Sequence, residues 1–224
     1  MRLIKRLPTA EKPNGSVYAA PFRKVYVSNT NGKAVAIVDV EKDQIVKTLE
    51  FKSETGMPQY DSVAKKVYVN LRSTNEVAEV DPLAILSLGS TRLRGASTTT
   101  PWRWTQSTSR FLLCGGNRVM TVFALDTLKA IAHLPIPQGA DVSKFDPGNG
   151  RIYAACSSGF ISVFQELDAD HFNKLEDFPV QNLVHSLAVD TVTHRVYAPK
   201  QEEDGKPVTR MIIYEPADQN PARH

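Results

Sequence analysis

Short apolar runs with a period of two follow one another along the chain. Ala34-Val35-Ala36-Ile37-Val38 and Asn75-Glu76-Val77-Ala78-Glu79-Val80 alternate as strands do, which predicts a buried face carrying Val35, Ile37, Val77 and Val80. No long stretch repeats its apolar residues at the 3.6-residue spacing of a helix. Turn-forming residues separate the runs. Asn31-Gly32 suits a primed hairpin turn with both central residues at positive φ, and Gly115-Gly116-Asn117 and Ser158-Gly159 stand in corresponding places.

The runs recur at a nearly fixed interval. A tyrosine or phenylalanine among small and branched residues appears in Val25-Tyr26-Val27, Val67-Tyr68-Val69, Arg110-Phe111-Leu112, Ile152-Tyr153-Ala154 and Val196-Tyr197-Ala198, at steps of 42, 43, 42 and 44 residues. Only a repeat architecture imposes such a period. Val38-Asp39, Val80-Asp81 and Leu125-Asp126 keep the same phase, as do Leu3-Ile4-Lys5-Arg6-Leu7, Ile45-Val46-Lys47-Thr48-Leu49 and Ala130-Ile131-Ala132-His133-Leu134. Several strands per unit of this length predict an all-β fold of propeller blades, each a four-stranded antiparallel sheet packed face to face on its neighbours.

Val25 to Gly32, Val35 to Asp39 and Ile45 to Leu49 together resemble the repeat of the YVTN-type, or YncE-like, β-propeller family. Lys144-Phe145-Asp146-Pro147 with Gly150-Arg151-Ile152-Tyr153, and Leu187-Ala188-Val189-Asp190 with Thr193-His194-Arg195-Val196-Tyr197, resemble the innermost strand of that repeat and its hairpin into the second strand. The resemblance covers most of the chain and implies a fold rather than a substrate. Members are usually seven-bladed and often periplasmic or secreted, whereas about five blades are recognisable here. Arg2 to Pro8 resembles an outermost strand and Met211 to Tyr214 a third strand. Those ends fit either a ring whose N-terminal segment completes the last blade or, as the favoured expectation, an incomplete ring truncated by about two N-terminal blades.

Residues 1–224 read as a single propeller domain with one irregular segment, 83–109, where an outer and an inner strand are due and the apolar alternation stops. Read in shifted codons, Ser97 to Thr108 gives a histidine-containing run that fits the missing inner strand, so an out-of-frame segment is expected there. A blade without its apolar alternation forfeits up to about 10 kcal/mol of burial.

Composition narrows the function classes. The 27 basic and 24 acidic residues leave a net charge of +3, without the concentrated basic stripe that nucleic-acid binding needs. No apolar run is long enough to cross a membrane, and Met1 to Pro8 is followed by no apolar core of a signal peptide, so the compartment stays open. Cys114 and Cys156 occupy equivalent places in successive units, about one sheet spacing apart, which is too far for a disulfide. Neither has the spacing of a metal ligand set.

Candidate chemistry is sparse, and the sequence predicts no catalytic residues, no metal and no cofactor. Asp141 and His185 precede inner strands and are the candidate ligand-binding residues at a channel mouth, where side chains of several blades converge. Asp168-Ala169-Asp170-His171 has closely spaced oxygen and nitrogen donors but reads as a solvated hairpin, as does Gln201 to Pro207. Trp102-Arg103-Trp104 falls inside the irregular segment, and Asp39, Asp81 and Asp126 read as strand ends whose carboxylates accept turn hydrogen bonds. No hydrolase elbow, phosphate loop, zinc-protease or dinucleotide motif is present. The expectation is a monomeric, non-catalytic binding or scaffold protein for a protein, peptide or small molecule. The alternatives are a propeller enzyme, either a lyase or one linked to a metal or redox cofactor, and a remnant without function.

Overall fold

The computed structural model describes residues 2–93, 99–105, 110–115, 117–184 and 186–217, and for residues 99–105, 111, 113 and 115 it describes the backbone alone. Each apolar run becomes a strand, and the strands form five antiparallel sheets of an all-β propeller architecture. They fall into two compact units, Met1–Pro101 with Thr127–Ala130, and Trp102–Asp126 with Ile131–His224.

In the first unit, β1 (Pro13–Ala19), β2 (Lys24–Asn29), β3 (Ala34–Asp39) and β4 (Gln44–Glu50) form the first sheet in that order. The second sheet follows with β5 (Thr55–Asp61), β6 (Lys66–Leu71), β7 (Glu76–Asp81) and β8 (Leu86–Arg92). The repeat is exact in register: Val25 faces Val38 across β2 and β3, and Val67 faces Val80 across β6 and β7. Tyr26, Val35, Ile37 and Leu49 of the first sheet pack on Val67, Val69, Ala78 and Val80 of the second. The Tyr26 hydroxyl donates across this junction to the Pro82 carbonyl at 3.5 Å.

One expectation needs correction here. Val77 and Val80 are both buried but do not share a face, because an odd separation along a strand puts side chains on opposite sides. Central strands of a blade are buried on both faces; in β3 every residue but Val38 is buried.

In the second unit, β9 (Thr99–Thr105), β10 (Arg110–Gly115), β11 (Val119–Ala124) and β12 (Ala130–Pro135) make the third sheet. The fourth is β13 (Ala140–Asp146), β14 (Arg151–Cys156), β15 (Phe160–Glu166) and β16 (Phe172–Pro179). The fifth has three strands, β17 (Ala188–Val189), β18 (Val196–Glu203) and β19 (Lys206–Tyr214), so Met211 to Tyr214 lies in a third strand as expected. Leu112, Cys114, Met120 and Leu134 pack on Ile152, Ala154, Cys156 and Phe164 between the third and fourth sheets. Tyr153, Ala155, Ile161 and Val163 pack on Val184, Leu187, Val196 and Ala198 between the fourth and fifth. Cys114 and Cys156 are buried and not joined in a disulfide.

Hairpin turns differ from the expected type in a regular way. The Asn31-Gly32 turn runs over four residues, and positive φ falls on Lys33, with Asn75, Arg118 and Gly159 in the same place. A turn that ends on a left-handed residue matches strand twist as a primed two-residue turn does. Gly32 serves a different need: a Cβ there would stand 2.6 Å from the Ala10 Cβ, where residues 10–12 cross the hairpin and the Glu11 carbonyl accepts the Gly32 N–H at 3.0 Å.

The irregular segment is strand in part. β8 supplies the outer strand of the second sheet, exposed along its whole length, with Thr91 opposite Val77 in the position that buried Leu49 holds opposite Val35. β9 supplies an inner strand, and the side chains of Trp102, Arg103 and Trp104 lie outside the described residues, as do residues 94–98 and 106–109. Arg2 to Pro8, read as an outermost strand, belongs to none of the sheets, and Leu3 and Ile4 are 66% and 77% exposed. Among the described residues no helix is long and apolar enough to cross a membrane.

Candidate functional site

The inner strands β1, β5 and β13 each break register near their first residues, at Pro13/Gly15, Thr55/Pro58 and Ala140/Val142. Asp141 is the extra residue of the β13 bulge, half-buried, and bulges re-aim the side chain they carry. Burial first, then the Cys156 thiol and the Asp141 carboxylate, push the Cys114 thiol up to about 12. The corresponding bulges carry Asn14 in β1 and Gly56 and Met57 in β5, so the inner-strand ends do not repeat a carboxylate. His185, the other candidate, lies outside the described residues.

Most recurring carboxylates are committed to their own turns. Asp39 Oδ1 accepts the N–H groups of Glu41 and Lys42, and Asp81 Oδ1 those of Leu83 and Ala84. At the inner-strand ends Asp61, Asp146 and Asp190 accept from Val63, Gly148 and Val192. Asp168 closes its hairpin in the same way, accepting the N–H groups of Asp170 and His171 and pairing with His171 Nδ1 at 2.8 Å. Those bonds hold its carboxyl below the usual range. Asp170 is drawn to Arg110 at 3.0 Å, so the donors of this loop face separate partners.

A pair that no motif marks stands between the fourth and fifth sheets. Asp146, fully buried at the end of β13, accepts or shares a proton with His194 Nδ1 at 2.8 Å. His194 is 37% exposed and has φ of 61°, at the turn position held by Arg23, Lys65 and Gly150 in other blades. The approach requires Gly148, whose Cβ would lie 2.4 Å from the His194 Cε1. A carboxylate bonded to Nδ1 fixes the imidazole and leaves Nε2 for another partner. Nothing in the sequence joins residues 48 apart; the only local signal is an imidazole at a left-handed turn position.

His194 borders a polar recess of about 340 Å³, formed with Asn149, Arg151, Thr193, Glu215 and Pro216. Arg151, Glu215 and Pro216 also border a second cavity of about 340 Å³, walled by Ile161, Val163, Leu175, Phe178, Val196 and Tyr214. Phe178 and Tyr214, both on its wall, meet edge to face at 5.6 Å. Tyr153 also lines it; the residue is only 4% exposed, and its hydroxyl lies beside the donors Arg151 and Asn149 with no acceptor for its O–H. Burial pushes its phenol up, and the neighbouring Arg151 and Asn149 pull it back. Arg151 donates from Nη2 to the Ala217 carbonyl at 3.3 Å, and Glu215 accepts from Arg195 at 3.4 Å.

The chain matches no family model and no curated protein. Solved structures share its fold. A candidate 6-phosphogluconolactonase of Bacteroides uniformis ATCC 8492 superposes with a TM-score of 0.73 at 11% identity, over 89% of this chain and 70% of that one. The hydrazine synthase of Kuenenia stuttgartiensis superposes with a TM-score of 0.68 at 12% identity, over 84% of this chain and 62% of that one. At such identities the likeness is one of fold, a β-propeller, and this chain spans about two thirds of each.

Proposed function

We propose that the protein is a non-catalytic binding propeller of the YVTN type. One contrast supports this reading: the recurring carboxylates are bonded within their own turns, while an apolar cavity with a few polar groups opens between the fourth and fifth sheets. Pockets of 300–1,000 Å³ with apolar walls and a small number of placed polar groups are the usual form of small-molecule sites. The test is a thermal-shift screen of the purified chain against carboxylates, phosphates, sugars and short peptides, followed by recovery of each hit. The reading expects at least one compound that raises Tm and is recovered unchanged. A hit consumed catalytically, or no hit in the panel, would overturn it.

The Asp146–His194 pair supports a second reading, a propeller enzyme in which His194 Nε2 moves a proton within the polar recess. Lactone hydrolysis, named for one of the similar folds, is the reaction to assay first. Turnover lost in His194→Gln and kept in Asp141→Asn would favour the enzyme over the binding protein.

A further inference from the structure

The junction of the fourth and fifth sheets departs from the repeat at one atom. Val67 pairs with Val80 in the second sheet and Val196 with Tyr214 in the fifth, so Pro82 and Pro216 occupy equivalent places, two residues beyond the paired one. In the first unit the repeat tyrosine reaches that place, Tyr26 to the Pro82 carbonyl. In the second unit the same tyrosine, Tyr153, reaches no carbonyl, and it shares the cavity lining with Pro216. The groups beside its oxygen, the guanidinium of Arg151 and the amide of Asn149, act as donors, so the O–H of this buried phenol is left without an acceptor, which is costly.

Resting on the binding reading above, we propose that this cavity binds a small amphipathic monocarboxylate, its carboxylate at Arg151 and its apolar body between Val163, Leu175, Val196 and Tyr214. The guanidinium supplies the charge-assisted bond, and a carboxylate oxygen held there gives the Tyr153 hydroxyl the acceptor it lacks. Two acidic groups border the cavity, and neither stands in the carboxylate's way: Glu215 is paired with Arg195, and Glu176 is exposed on β16. At about 30 Å³ for each water-sized group, the cavity holds a body of roughly a dozen non-hydrogen atoms.

The experiment is calorimetric titration of the full chain with decanoate below its micellar range, with decanol and inorganic phosphate as probes of the two halves. Decanoate is expected to bind saturably at one site, with decanol and phosphate each weaker by about tenfold or more. Arg151→Gln should weaken decanoate by about tenfold to a hundredfold and leave decanol unchanged. Val163→Phe should abolish binding of both chain compounds by filling the cavity. Tyr153→Phe separates a ligand role from a structural one: it should weaken decanoate several-fold while Tm holds or rises, because in the free protein the phenol O–H donates to no acceptor. Decanoate and decanol binding alike, or decanoate indifferent to Arg151→Gln, would overturn the proposal. Failure of decanoate with success of another compound in the screen defeats this assignment alone, whereas failure of the whole panel defeats the binding reading as well.

Discussion

Two sheet junctions of the same repeat are packed to different standards. Between the first and second sheets, Tyr26, Val35, Ile37 and Val67 are wholly buried and the tyrosine hydroxyl is bonded to the next blade. Between the fourth and fifth, equivalent backbone surrounds a cavity of about 340 Å³ and a phenol whose O–H has no acceptor. Identical registers therefore do not guarantee identical interfaces. What differs is the material brought to the outer part of the junction: Ile85, just before β8, packs into the first, while the fifth sheet ends at β19 among the described strands.

Deleting side-chain volume should give the largest contrast. Ile37→Ala is expected to cost about 3–4 kcal/mol in a urea melt, since it opens a new void in a filled junction. Ile161→Ala, beside a cavity that already exists, should cost about half as much, and equal losses would erase the distinction drawn here.

Alkaline titration sharpens the comparison by placing the third junction with the packed class. Burial raises the Cys114 thiol to about 12 and the Cys156 thiol to about 11, from an ordinary 9.0. Both stay protonated in the folded state after the unfolded chain has begun to lose its thiol protons. Their contribution is therefore complete below pH 9 and falls as pH rises toward 11, by about 1.4 kcal/mol per thiol per pH unit. Cys114→Ala/Cys156→Ala should flatten that decline in denaturation midpoints, and rapid labelling of the native thiols at pH 8 would contradict their burial.

Adding volume gives a smaller effect of opposite sign at the two places. Val67→Phe should overpack its junction and cost about 1–3 kcal/mol, whereas Val163→Phe should stay within about 1 kcal/mol of the parent. Smallest is the hydroxyl itself. Tyr26→Phe should lose about 0.5–1 kcal/mol, and Tyr153→Phe should be neutral or slightly stabilising in the free protein. A stability loss for Tyr153→Phe as large as for Tyr26→Phe would mean that the phenol is satisfied after all.

Blades and their strand pattern were legible in the sequence because a repeat states its pattern several times, and each copy corrects the reading of the others. Tyr26, Tyr68 and Tyr153 could be aligned without any structure. Single events were not legible. Whether Val80 shares a face with Val77 depends on counting odd or even within one strand. The candidate site was harder still. Asp141 was singled out by its place at an inner-strand entry and lines neither cavity, whereas the Asp146–His194 contact joins two turns on neighbouring blades, and Gly148 matters only because an imidazole passes over it. The cavity has no sequence signature at all, since it arises from what fails to meet.

Among the described strands β19 is the edge of its sheet, and Met211 and Ile213 on it are more than half exposed. Exposed strand rims invite another chain to continue the sheet, and charged side chains discourage that growth. Here the guard is local: Glu203 is held between Lys200 at 2.6 Å and Arg210 at 2.7 Å, near the hairpin tip, whereas among the described residues the Met211–Ile213 end has no such cluster. Ions weaken that guard without touching the apolar stretch. Self-association of the protein should accordingly rise with ionic strength, contrary to the behaviour of proteins whose contacts are themselves electrostatic.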